Sequence, residues 1–102
     1  MSDQAASPNY IAEFLAYLEK ERNVSPNTIK AYQRDLGEFS HFLANYYGER
    51  EWTWQGIDRL AMRGFLAHLT RRGLEKRSIA RTVSGVRSFF RFLHRYDVVE
   101  TN

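Results

Sequence analysis

The sequence predicts an all-α domain of four helices, and three observations predict it. Apolar residues recur at spacings of three and four in four separate stretches, which is the period of one helix face. Ser-Pro, Asp and Gly punctuate those stretches where helix starts and stops belong. No stretch alternates apolar and polar residues for long enough to make a strand. Four helices with short connections give a small orthogonal or bundle-like fold.

The elements follow in order. Residues 1–8 are small and polar and read as a flexible tail. Ile11, Phe14, Leu15 and Leu18 form one apolar stripe, with Glu13, Glu19 and Lys20 off it. This predicts a first helix from about Asn9 to Arg22, stopping near Asn23 and Val24. Ser25-Pro26-Asn27-Thr28 is the clearest start signal in the chain. Serine at the N-cap accepts from an orphan backbone N–H, and proline at the first helical position loses nothing. Ile29, Tyr32, Leu36, Phe39, Leu43 and Tyr46 mark a long second helix, ended by Gly48. Gly37 inside it costs about 1 kcal/mol relative to alanine, so a close approach by another group is expected there. Glu49 to Gly56 is a linker carrying Trp52 and Trp54. Asp58 caps a third helix with Leu60, Phe65, Leu66 and Leu69 inward, closed by Arg71-Arg72-Gly73. After Leu74-Glu75-Lys76, the fourth helix offers Ile79, Val83, Val86, Phe90 and Leu93 to the core. Its other side carries Arg77, Arg81, Ser84, Ser88, Arg91 and Arg95, again three and four apart. The aromatic share of 15% falls mostly on the inward stripes, where its role is packing.

The chain's 102 residues fit one domain with a modest core. With no cysteine, disulfides and thiolate metal sites are excluded, and a reducing cytoplasm is the expected compartment. The opening residues lack the charge and apolar run of a secretory signal. No apolar stretch approaches the roughly 20 residues needed to span a bilayer. The net charge of +3 conceals an asymmetry. Residues 1–51 hold five Lys/Arg against eight Asp/Glu, whereas residues 52–102 hold ten against four. Between Arg71 and Arg95 stand eight basic residues and one acid, Glu75. Such a block is either a solvated helix face or the footprint of a polyanion partner.

Nothing in the sequence assembles an active site, and no catalytic residue, metal or cofactor is assigned. His41, His68 and His94 fall on three different helices, so none pairs at ligand spacing. No glycine-rich phosphate loop or nucleophile elbow occurs. His68 and Arg71 have the spacing of a phosphate-activating pair but lack a companion base and nucleophile, and His68 reads as a surface or boundary residue. Duplex DNA is the better-supported partner. Lys and Arg on phosphates release condensed counterions, and a helix can present arginine every turn while its other face stays in the core. Ser84 and Ser88 among the arginines allow close approach and donation to phosphate oxygens. Asn27, Thr28, Lys30 and Arg34 lie beside backbone N–H groups at the start of the second helix. That is both ordinary helix-start chemistry and an anion site. A helical protein-interaction module is the rival reading, with exposed Trp52 or Trp54 as its anchor.

Val24-Ser25-Pro26-Asn27-Thr28-Ile29-Lys30-Ala31-Tyr32-Gln33-Arg34-Asp35-Leu36, followed by Phe39 and Leu43, resembles the opening of the amino-terminal core-binding domain of tyrosine recombinases of the Xer and phage-integrase type. Gly73-Leu74, Arg77-Ser78-Ile79-Ala80-Arg81 and Ser84-Gly85-Val86-Arg87-Ser88-Phe89-Phe90-Arg91-Phe92-Leu93 resemble that family's last core-binding helix. The likeness runs from about Tyr10 to Asn102. It implies a four-helix, SAM-like fold over residues 9–99, forming one jaw of a clamp on DNA, with residues 100–102 opening the linker to a catalytic domain that is absent here. It implies DNA contacts from Asn27, Thr28, Lys30 and Arg34 on the second helix and from Arg77, Ser78, Arg81, Ser84, Arg87 and Arg91 on the fourth. The full-length enzyme, in the cytoplasm, would act as a tetramer of recombinase protomers on paired sites, in DNA recombination, integration or chromosome partition. The isolated domain would be a monomer that touches no membrane. Glu75-Lys76 stands where the family often has Ser-Pro or Thr-Pro, which leaves the cap of the fourth helix in question. The catalytic arginines, histidine and tyrosine of the family have no counterpart in this chain.

Overall fold

A computed structural model describes residues 9–100 of the chain; residues 1–8 and 101–102, with the expected tail and most of the expected linker, lie outside them. Four helices make up the fold: α1 (Tyr10–Lys20), α2 (Pro26–Tyr47), α3 (Arg59–Arg71) and α4 (Lys76–Arg95), with a single 3-10 turn at Trp54–Gly56. No strand occurs among the described residues. The fold class is therefore all-α, as the periodicity predicts.

Local chemistry sets the boundaries. Asn9 caps α1 by accepting from the Ala12 N–H at 3.1 Å, Ser25 caps α2 from Thr28, and Asp58 caps α3 from Ala61 at 2.9 Å. Glu75 occupies the N-cap of α4 without any side-chain hydrogen bond. The first helix ends two residues short of the expected Arg22. Asn23 takes a left-handed conformation at φ 53°, and the Val24 N–H turns back to the Leu18 carbonyl at 3.0 Å. Gly48 and Gly73, at φ 62° and 83°, close the ends of α2 and α3, where a side chain would be strained.

α2 and α4 form the central pair, packing on each other and each on both α1 and α3. Phe14 and Leu18 of α1 meet Leu36, Phe39 and Leu43 of α2, Ala61, Phe65 and Leu69 of α3, and Val86, Phe89 and Leu93 of α4 in one continuous core. Rings dominate it. Phe39 meets Phe65 edge-on at 4.9 Å, and Phe89 takes edge contacts from Phe14 and Trp54 at 5.5 and 5.0 Å.

Several expected inward residues differ. In α3 the buried line is Ala61, Phe65 and Leu69, at four-residue spacing, and Leu60 and Leu66 are exposed instead. Each residue turns about 100° around the axis, so both leucines stand well off that line. In α4 the buried centre is Thr82, Gly85, Val86, Phe89, Phe92 and Leu93, while Ile79, Val83 and Phe90 are only half-buried. The shift arises because Phe92 turns toward Phe14 and Tyr17 of α1. No group approaches Gly37: a Cβ there would meet nothing within 4 Å. The close approaches occur at Gly64 and Gly85, where an added Cβ would lie 3.1 Å from Phe42 and 3.5 Å from the Tyr32 ring. Trp52 and Trp54 are half-buried and packed edge-on against each other at 5.0 Å, so neither stands out as the anchor that the protein-interaction reading needs.

Candidate nucleic-acid interface

Helix α4 and the first half of α2 hold every residue that the sequence analysis expects to contact DNA. On α4, Arg77, Arg81, Ser84, Arg87 and Arg91 are exposed, and Ser78 is half-buried. Counted around the helix at about 100° per residue, Arg77, Arg81, Ser84 and Arg91 fall within one arc, opposite the buried Val86. Arg87 stands on its flank. The helix brings them together because its core-facing side is uninterrupted and its remaining positions are almost all basic or small. Arg91 donates to the Ser88 hydroxyl at 3.0 Å, which fixes that end of the row.

On α2, Asn27, Thr28, Lys30 and Arg34 are exposed. The helix start is less open to an anion than the sequence suggests. Pro26 has no N–H, the Thr28 N–H already donates to the Ser25 hydroxyl at 3.3 Å, and the Ile29 N–H bonds the Ser25 carbonyl at 3.0 Å. Only the Asn27 amide of that turn is uncommitted among the described residues. The Ser25 hydroxyl in turn donates to Thr28 Oγ1 at 3.0 Å, so Ser25 and Thr28 first serve the helix itself.

Two acids that sequence reading passed over organise the surroundings. Glu38 joins α2 to the end of α3. Its carboxylate accepts from Arg72, through Nη2 at 3.0 Å and through Nε, and lies 3.1 Å from His68 Nε2. The Arg72 hydrogen bonds hold the Glu38 carboxyl below the ordinary carboxylate range, against a partial burial that pushes it up. His68 is half-buried, parallel to Phe65 at 6.1 Å, and committed to Glu38, while Arg71 is exposed. The apparent His68–Arg71 pair is thus an inter-helix tie made through Arg72. No residue spacing reveals a partner thirty positions away. Asp35 is buried between α2 and α4, with Arg34 Nε 3.7 Å from one carboxylate oxygen and Arg81 Nε 3.9 Å from the other. A signal for it existed. Three residues after Tyr32 and four before Phe39, it sits on the buried stripe.

Beside the row, Ile57, Met62, Leu66, Val83 and Phe90 line an open groove of about 650 Å³ between α3 and α4, bordered by Arg59, Arg87 and Arg91. Among the described residues no cluster of His, Cys, Asp or Glu could hold a metal ion. Among the described residues no helix is long and apolar enough to cross a membrane. The arrangement offers cations and hydroxyls on one helical face. It is suited to holding an extended anion.

Residues 11–96 match the family model described as "Phage integrase, N-terminal SAM-like domain". Among curated proteins, the chain is 44% identical over 92 residues to the tyrosine recombinase XerC of Lacticaseibacillus casei, covering 90% of this chain and 30% of that protein. It is 35% identical over 95 residues to the tyrosine recombinase XerC of Pelotomaculum thermopropionicum, covering 91% and 31%. It is 38% identical over 91 residues to that of Chlorobaculum tepidum, covering 86% and 27%. The chain thus spans about 30% of the length of these relatives. No solved structure matches it.

Proposed function

The chain belongs to the phage integrase N-terminal SAM-like domain family, and from that premise we propose that it is the DNA-gripping domain of a site-specific tyrosine recombinase. It holds duplex through α2 and α4, while strand exchange is carried out by a catalytic domain on another segment of the full-length protein. The observation that carries this is the exposed arginine row of α4, backed by an intact core face. From Arg77 to Arg91 the helix rises roughly 21 Å, more than the roughly 12 Å width of the major groove. The row can therefore meet phosphates on both rims. In this reading Arg77, Arg81, Arg87 and Arg91 contact phosphates, and Ser78 and Ser84 donate hydroxyls at close approach. Asn27, Thr28, Lys30 and Arg34 meet the strand from α2. The full-length protein assembles with other protomers, as a tetramer on paired sites in the cytoplasm, and the isolated domain binds as a monomer.

The test is a titration of labelled duplex at roughly 50 and 200 mM salt, with log affinity falling by about 0.9 per phosphate contact for each decade of salt. Affinity indifferent to salt refutes the reading. The paired change Arg77→Ala and Arg87→Ala should weaken binding and leave the melting temperature nearly unchanged, since the buried Asp35 is faced by Arg34 and Arg81 instead. A large loss of stability would mean instead that these arginines hold the fold.

A further inference from the structure

Asp35 is out of place by the ordinary logic of a core. It and Thr82 are the buried polar side chains among the described residues, and Asp35 is 6% exposed. A carboxylate costs stability when it leaves water, unless it is paired and hydrogen-bonded. Its two charged partners, at 3.7 and 3.9 Å, stand beyond direct hydrogen-bond distance. An apolar side chain of similar size serves stability better at such a site. What the acid does achieve is geometric. One carboxylate oxygen faces Arg34 of α2 and the other faces Arg81 of α4, and in both pairs the facing atom is Nε. Neither guanidinium makes a hydrogen bond among the described residues, so both arginines remain available to an acceptor beyond the seam. Their side chains are 64% and 57% exposed. Paired guanidinium forks of this kind match the oxygens of a phosphate.

We propose that Asp35 is a positioning residue, which turns Arg34 and Arg81 into a two-helix clamp for one phosphodiester group of the DNA. The inference rests on the DNA-gripping reading above. The phosphate oxygens accept from the Nη groups of both arginines, while the carboxylate behind them, 3.7 and 3.9 Å from the two Nε atoms, draws both side chains toward one point by charge. The clamp also bridges α2 to α4, so a bound phosphate registers both helices on the same strand.

The competing account is plain electrostatics, and it has the opposite sign. Beside a polyanion, a carboxylate only repels, so replacing it by a neutral isostere should tighten binding. The experiment is the anisotropy of a fluorescein-labelled duplex of arbitrary sequence, titrated with the 102-residue chain and its Asp35→Asn variant. If the clamp is lost, affinity falls by about eightfold at about 0.1 M salt, the worth of one phosphate contact, and the salt slope drops by about 0.9. In an Arg34→Gln, Arg81→Gln background, Asp35→Asn should cause no further loss. Asp35→Asn binding as tightly as the parent, or more tightly, overturns the inference alone. A parent chain that ignores duplex overturns the functional reading and the inference with it. Should the variant fail to fold by circular dichroism, the arginine side-chain NMR signals of the parent decide. The Nη signals of Arg34 and Arg81 should both move on adding duplex, and a duplex that binds while leaving them in place overturns the clamp.

Discussion

Replacing Gly37 by alanine should stabilise this domain. Gly37 lies in the interior of α2, is exposed, and has no positive φ, so alanine fits its backbone without strain. A Cβ would meet nothing within 4 Å, which removes both clash and new packing from consideration. What remains is the difference in helix propensity, about 1 kcal/mol, of which at least about 0.4 kcal/mol comes from a less disordered unfolded chain. For a domain of this size, 1 kcal/mol corresponds to about 4–8 °C in melting temperature. Thermal unfolding followed by far-UV circular dichroism reads this directly. Two other helical glycines calibrate it. At Gly85 the added carbon would sit 3.5 Å from Tyr32, an ordinary contact, and at Gly64 it would sit 3.1 Å from Phe42 Cζ, closer than packing allows without movement. The gain should fall in the order Gly37→Ala, Gly85→Ala, Gly64→Ala. A Gly37→Ala protein no more stable than its parent, or a Gly64→Ala protein that exceeds it, refutes the reasoning.

Three further outcomes are expected. Phe89→Ala, at a fully buried position between Phe14 and Trp54, should cost about 3–5 kcal/mol by urea unfolding; a loss within experimental error would mean that the ring is not part of the core. Glu75→Ser supplies the side-chain bond that α4 lacks and should add about 0.5–1 kcal/mol, whereas Asp58→Ala should remove about 1 kcal/mol, both read as shifts in melting temperature. Glu38 has its native carboxyl pKa depressed by Arg72, so its tie contributes stability above the ordinary carboxylate pKa and loses it as pH falls through the native one. Melting temperature between about pH 5 and pH 2 should therefore drop more steeply in the parent than in Glu38→Gln, and parallel curves would show that the tie does not form.

What the sequence made legible was whatever acts over one turn. Ser25 and Asp58 reach an amide three residues on, and Gly48 and Gly73 answer to their own φ. Each was readable because cause and effect are neighbours in the chain. The arginine row of α4 was readable for the same reason, as a period. Burial was readable only as a tendency. Leu60 and Leu66 look more like core than Ala61, yet Ala61 is buried, because closeness between helices selects small residues and the sequence does not say which face meets two neighbours. Tyr32 against Gly85 is the same case. The Glu38 tie to His68 and Arg72 had no signal at all, since its members are brought together by the path of α3. Asp35 stood in plain view on an apolar stripe, but its two arginine partners became apparent only once α4 was laid beside α2.

The two indoles have a practical consequence. Trp54 rests on Phe39 and Phe89 and edges against Trp52, and Phe89 points to the side of α4 away from its arginines. Tryptophan fluorescence therefore comes from one spot, inside the seam that must open when the domain melts. It gives a built-in gauge of unfolding that should stay dark to whatever docks on the cationic side, so stability and ligand occupancy can be followed in the same cuvette without interfering with one another.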